Sequence, residues 1–168
     1  LVAGLAMARA VRVLLPEAQV ALKWPNDVLV DGLKISGVLS ELLPDGRSVV
    51  IGAGLNLTIS ADDLPVPTAT SLLLCGDTGP VVTLADRALA GYLGELRQLW
   101  TVFTAGDSGG AHDAIRTAVA ESCSTLGQQV RVDLPDGTRQ SGTAIDLDDA
   151  GRLRISIGSN GSTQTVAA

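Results

Sequence analysis

Apolar and polar positions change period along the chain, and each change marks an element. "LVAGLAMARAVRVLL" (residues 1–15) is rich in Ala, Leu and Val and has no Gly or Pro after Gly4. This predicts an amphipathic helix that Pro16 ends. "VALKW" predicts a short strand, and Pro25, Asn26 and Asp27 a turn. The run from Asp27 to Leu57 reads as a meander with hairpin signals at Asp31-Gly32 and Asp45-Gly46. Alternation within it sets Leu33 and Ile35 on one face, and Lys34 and Ser36 on the other. "SADDLPVPTATS" (60–71) predicts a loop. Residues 83–103 predict the clearest helix. Leu89, Leu93, Leu96, Trp100 and Phe103 fall on one stripe, and Thr83 with Asp86 resembles a capping box. "TAGDSGG" breaks that helix, and residues 111–123 predict a shorter one. After residue 125 short segments alternate with "PDG", "DDAG" and "GSNG", which predicts a small closed or nearly closed β-barrel.

Composition narrows the function. Of 168 residues, 46% are hydrophobic, enough for one main core with a small appendage. Only 2% are aromatic, so aliphatic side chains must fill that core. A net charge of −6 disfavours a phosphate backbone as partner. No run is long enough to cross a bilayer, and no basic amphipathic helix suits a membrane surface. Cys75 and Cys123 stand far apart without a CxxC pattern, as reduced thiols of a cytoplasmic protein would. His112, the only histidine, reads as a surface residue early in a helix, which leaves no material for a His-based metal site or triad. No metal ligands are assigned.

Three stretches depart from plain structural patterning. In "KWPND", Lys23 at a strand end is a fixed cation able to hold a phosphate or carboxylate. Asn26 and Asp27 could hold a hydroxyl group or orient an amine. Equally, they could bond their own backbone in a turn, with Trp24 as a core plug. In "KISGVLSE", Lys34 lies across from Leu33 and Ile35, and Gly37 suggests a bulge or a close approach to a ligand. In "IGAGLNL", the GxGxxG pattern fails at Leu57 and no helix follows, which excludes a dinucleotide fingerprint. Gly52 and Gly54 strip one strand face bare, with Asn56 at the rim, as a floor for a ligand or, equally, as twist relief in a crowded sheet. Because the stretches lie on neighbouring strands, they could converge on one cleft. A cationic, glycine-floored cleft suits a substrate bearing a carboxylate and phosphates.

With "KWPNDVLV", "KISGVLSE" and "GAGLNL" in order, the chain resembles the biotin protein ligases, whose motifs are KWPND, K-x-x-G-[IV]-L-x-E and G-x-G-x-N. "TATSL" (68–72) and the terminal barrel also match. The resemblance implies an α+β fold: a mixed sheet with helices on one side (1–124), then an SH3-like barrel (125–168). It implies joining biotin to ATP as biotinyl-5'-AMP, with Mg²⁺, and transfer of biotin to a lysine of a biotin carboxyl-carrier domain of a carboxylase. By motif, Lys34 meets the biotin carboxylate and α-phosphate, Lys23 adds charge, and Asp27 orients the acceptor lysine. Trp24, Asn26, Val38 and Asn56 join the substrate- and nucleotide-binding set, with Gly37, Gly52 and Gly54 bordering the pocket. The family's Arg/Gly-rich loop has no counterpart here, since Gly46-Arg47 and Gly151-Arg152 read as turn residues. The start at Leu1 and the end at Ala168 suggest a ligase cut at both ends. A lipoate-type ligase is one alternative; a binding fragment without chemistry is another.

Overall fold

The computed structural model describes residues 1–105, 110–133, 139–158 and 162–167. Strands β1 (Val20–Lys23), β2 (Asp27–Val30), β3 (Leu33–Leu42) and β4 (Val49–Leu55) form one sheet in that order. All three strand pairings are antiparallel. Among the described residues, parallel pairing enters through isolated bridges, Leu22 with Cys123 and Lys34 with Ala69. Asp31 and Gly32 both have positive φ, as a two-residue hairpin with the twist of its strands requires. Asp45 closes the next turn by accepting the N–H groups of Arg47 and Ser48.

Helix α1 (Val2–Leu14) lies on one face of this sheet. Leu5, Val11, Val28, Val30 and Ile35 are fully buried in the shared core. Arg12, in the last turn of α1, donates to the Val20 carbonyl (2.9 Å) and so ties the helix to β1. Helix α2 (Val81–Thr104) packs on α1, close enough that a Cβ on Gly91 would lie 3.5 Å from Ala10 Cβ.

That close approach corrects the reading of α2. Its buried positions are Leu84, Ala88, Tyr92 and Leu99. Leu89 (57% exposed) and Leu93 (51%) turn outward, as do Trp100 and Phe103, and Leu96 is half-buried. Small residues on both helices let the Gly91 side face α1, and the larger apolar stripe is left beside it. Leu89 and Leu93 instead wall a groove of about 450 Å³ against Met7, Ile51 and Leu55. The capping box is also absent: α2 starts two residues before Thr83, with Pro80 as N-cap and no side-chain cap.

Helix α3 (Ala111–Ser122) leads to a second sheet of β5 (Gln129–Asp133), β6 (Arg139–Leu147), β7 (Leu153–Ile157) and β8 (Ser162–Val166). This is an antiparallel meander around Ala144, Leu147, Leu153 and Ile155. The turns expected at "PDG" and most of "GSNG", and the chain end at Ala168, lie outside the described residues, as does most of "TAGDSGG". His112 is exposed in the first turn of α3, Cys75 and Cys123 are free thiols, and no described helix is long and apolar enough to cross a membrane.

Trp24 joins the two sheets. Its backbone N–H donates to Thr125 Oγ1 (2.9 Å) and its indole Nε1–H to the Gly151 carbonyl (3.1 Å), while Ser124 N–H donates to the Leu22 carbonyl. Trp24→Phe keeps most of the packing and removes the indole donor. Chemical denaturation should report a loss of about 1 kcal/mol. An unchanged midpoint would mean that this hydrogen bond adds nothing to the seam.

Candidate functional site

Directly opposed residues of an antiparallel sheet share a face. Lys23 opposes Asp27, Asp27 opposes Gly37, and Gly37 opposes Gly54, so one row crosses all four strands. The row lies on the face away from the helices. Val28, Ser36 and Val38, on the other face, are buried, whereas Lys23, Gly52 and Gly54 are exposed.

Strict alternation would place Lys34 and Gly37 on opposite faces. The structure brings them together through a β-bulge. Val28 opposes Ser36 and Leu29 opposes Lys34, so Ile35 is the extra residue. Ile35 and Ser36 are consequently both buried, and the expectation that Lys34 and Ser36 share a face is overturned. The bulge expected at Gly37 falls two residues earlier.

Lys34 Nζ pairs with Asp27 Oδ1 at 2.5 Å, with side-chain exposures of 45% and 18%. Gly37 makes room for the pair: a Cβ there would lie 3.4 Å from Lys34 Nζ and 3.6 Å from Asp27 Oδ1. A pair this exposed adds little to stability. Its chemical value is a cation and a carboxylate held over a floor without side chains. Next to it, a Cβ on Gly54 would meet nothing within 4 Å, and one on Gly52 would meet only the Leu39 carbonyl, at 3.9 Å. Lys23 adds a second cation in the same row.

The other assigned residues divide. Asn26 is exposed at the turn before β2, and its carbonyl accepts the Val38 N–H (2.8 Å). Val38 opposes Ala53, and its side chain is 6% exposed on the helix side. Trp24 packs on the core, and its indole Nε1–H donates to the Gly151 carbonyl, consistent with the core-plug alternative for this turn. Asn56 follows β4, and its Nδ2 donates to the Thr70 carbonyl (2.8 Å).

Sequence reading treated residues 60–71 as a loop, apart from the likeness of "TATSL". The structure makes Thr68–Leu72 a strap beside Lys34. Lys34 N–H donates to the Thr68 carbonyl and Thr70 N–H to the Lys34 carbonyl, both at 2.8 Å. Thr70 and Ser71 are buried polar residues, and Ser71 Oγ donates to the Ile59 carbonyl (2.7 Å). The signal for them was a Thr/Ser run directly after two prolines, which local rules assign to turns.

Residues 1–56 match the Biotin/lipoate A/B protein ligase family, and residues 125–168 match the Biotin protein ligase C terminal domain. The biotin–[acetyl-CoA-carboxylase] ligase of Mycobacterium tuberculosis is 38% identical over 170 residues, a match covering all of this chain and 59% of that protein. The ligase of the same name from Paracoccus denitrificans is 42% identical over 72 residues, covering 40% of this chain and 30% of that one. In fold, the chain resembles the apo biotin protein ligase of Aquifex aeolicus, with a TM-score of 0.74 and 22% identity. That likeness covers 99% of this chain and 70% of the other. The same ligase in complex with biotin and ATP gives a TM-score of 0.71. The chain thus spans about three fifths of the length of its full-chain relative. Carrying both family regions in order, with the ligase motifs on one sheet face, it belongs to the biotin protein ligase family.

Proposed function

We propose that the protein is an ATP-dependent biotin–[biotin carboxyl-carrier protein] ligase. The observation that carries this reading is the row Lys23–Asp27–Gly37–Gly54, with Lys34 reaching Asp27 across Gly37. In the first step the biotin carboxylate attacks the α-phosphorus of ATP and pyrophosphate leaves. Lys34 stabilises the charge that develops between the two groups, and Lys23 raises the local positive potential. The biotin and adenylate lie along Gly37, Gly52 and Gly54, where no side chain intrudes. Asn26, exposed at the turn, is within the same rim. In the second step the ε-amine of the carrier lysine attacks the acyl carbon of biotinyl-5'-AMP and AMP leaves. Anionic groups arriving at Lys34 draw its ammonium from Asp27, and that carboxylate then orients the amine.

The face does not fit a protein-built Mg²⁺ site. Asp27 is engaged by Lys34, Glu41 lies further along β3 on the same face, and no group of three His, Cys, Asp or Glu side chains among the described residues could hold an ion. Magnesium would come with the nucleotide's phosphates, and no step above runs through it. The partner is a carrier domain of a biotin-dependent carboxylase. The negative net charge of this part argues against nucleic acid, and two free cysteines suit the cytoplasm. Residues 1–124 form the catalytic portion and 125–168 the SH3-like appendage. The C-terminal match supports biotin over lipoate.

The test is pyrophosphate release by the full-length protein with ATP and either biotin or lipoate. Release that depends on biotin is expected. Release with lipoate alone, or with neither, would overturn the assignment.

A further inference from the structure

We propose that Thr125 is a positioning residue for the transfer step, holding the turn that leads from Lys23 to Asp27. The inference rests on the reading of Asp27 above and adds a residue to it. Among the described residues β1 ends the first sheet, so its outer edge has no strand of that sheet beside it. Residues 123–125 cover that edge where β1 stops. Cys123 bridges Leu22 in parallel. Ser124 donates to the Leu22 carbonyl through its backbone N–H (2.8 Å) and its Oγ (2.9 Å), and Thr125 Oγ1 accepts the Trp24 N–H (2.9 Å). Lys23 is thus flanked by two residues bound to one short segment.

The chain grips the second sheet directly afterwards. Gly127 N–H donates to the Ala144 carbonyl of β6 (2.8 Å), and Ala144 N–H to the Gln128 carbonyl (2.9 Å). On its β3 side the turn is held through Asn26, whose carbonyl accepts the Val38 N–H (2.8 Å). Thr125 supplies the counterpart on the β1 side. It does so with a side chain, so this contact depends on residue type. Asp27 opposes Lys23 in register, and the end of β1 therefore sets where the Asp27 carboxylate stands. The acceptor amine must meet the acyl carbon at a fixed angle, so a displaced carboxylate costs rate. Thr125 is half-buried and lies outside the row of site residues, and it acts through the turn.

Thr125→Val keeps the shape and leaves the Trp24 N–H without its acceptor. In the full-length protein, the maximal rate of single-turnover transfer from biotinyl-5'-AMP to the carrier lysine should fall by roughly tenfold or more. The half-saturating carrier concentration and the rate of pyrophosphate release should stay close to the parent's. Thr125→Ser keeps the hydroxyl and should restore the transfer rate. A packing role would give the reverse order, since Val keeps the methyl group that Ser lacks, and would overturn the proposal. So would a full transfer rate in Thr125→Val, equal losses in both half-reactions, or a raised half-saturating carrier concentration at unchanged maximal rate, which would place Thr125 on the docking surface. A measurement on the unsubstituted protein does not depend on the variant folding. The Trp24 backbone amide should exchange as slowly as the β1–β2 amides, and exchange at the rate of a solvated amide would overturn the proposal. Asp27→Ala run in parallel separates the two readings. Normal transfer there removes the role of Asp27 and this proposal with it, whereas slow transfer there with normal transfer by Thr125→Val overturns this proposal alone.

Discussion

Lys34→Ala in the full-length protein is expected to abolish biotinyl-5'-AMP formation while the fold survives. The side chain is 45% exposed over a glycine floor, so truncation opens no core cavity, and the lost ion pair is worth about 1 kcal/mol or less. Removing one donor from a site of developing negative charge costs roughly 3–4 kcal/mol of transition-state stabilisation, or about 10²–10³ in rate. Pyrophosphate release should fall by that factor, with the melting temperature within a few degrees of the parent's. Release at near the parental rate would remove Lys34 from the chemistry. It would leave the strap and the bulge without a catalytic purpose.

Asp27→Ala should separate the two half-reactions. Asp27 holds Lys34 in the absence of substrates, so its removal frees a cation for the phosphates and the first step should continue. Transfer to the carrier lysine loses the group that orients its amine and should slow by about 10² or more, the usual scale for a positioned acid or base. Biotinyl-5'-AMP would then accumulate in a single-turnover experiment. Equal losses in both steps would place Asp27 on the nucleotide or its metal instead.

Much of this was legible before any coordinates. The Asp31-Gly32 hairpin, α1, α3 and the β5–β8 order follow from signals within a few residues: turn chemistry and period. The three motifs were legible as sites because each breaks the period around it. A lysine stands beside a turn, a glycine sits in a strand, and two glycines alternate on one face.

What stayed hidden depends on partners distant in the chain. Alternation cannot reveal that Ile35 is skipped, because the bulge exists only relative to β2. It therefore misplaced Ser36. The stripe of α2 was misread because small residues, weak as apolar signals, lie on its buried side: Ala88 is buried and Gly91 faces Ala10 of α1. Nor could the sequence show that Trp24 ties the two sheets together. Its hydrogen-bond partner, Gly151, lies 127 residues away.

By itself, then, the sequence determined most of the elements, which stretches depart from structural patterning, and the family to which they belong. Those properties depend on local φ/ψ preferences and on side-chain identity. Tertiary structure alone decided that Lys34 lies over Gly37 against Asp27, that Thr68–Leu72 pairs with β3, and that Asn56 is bound to Thr70. Each of these is a hydrogen bond or register between strands, and its energy is realised only once the partner segment is in place.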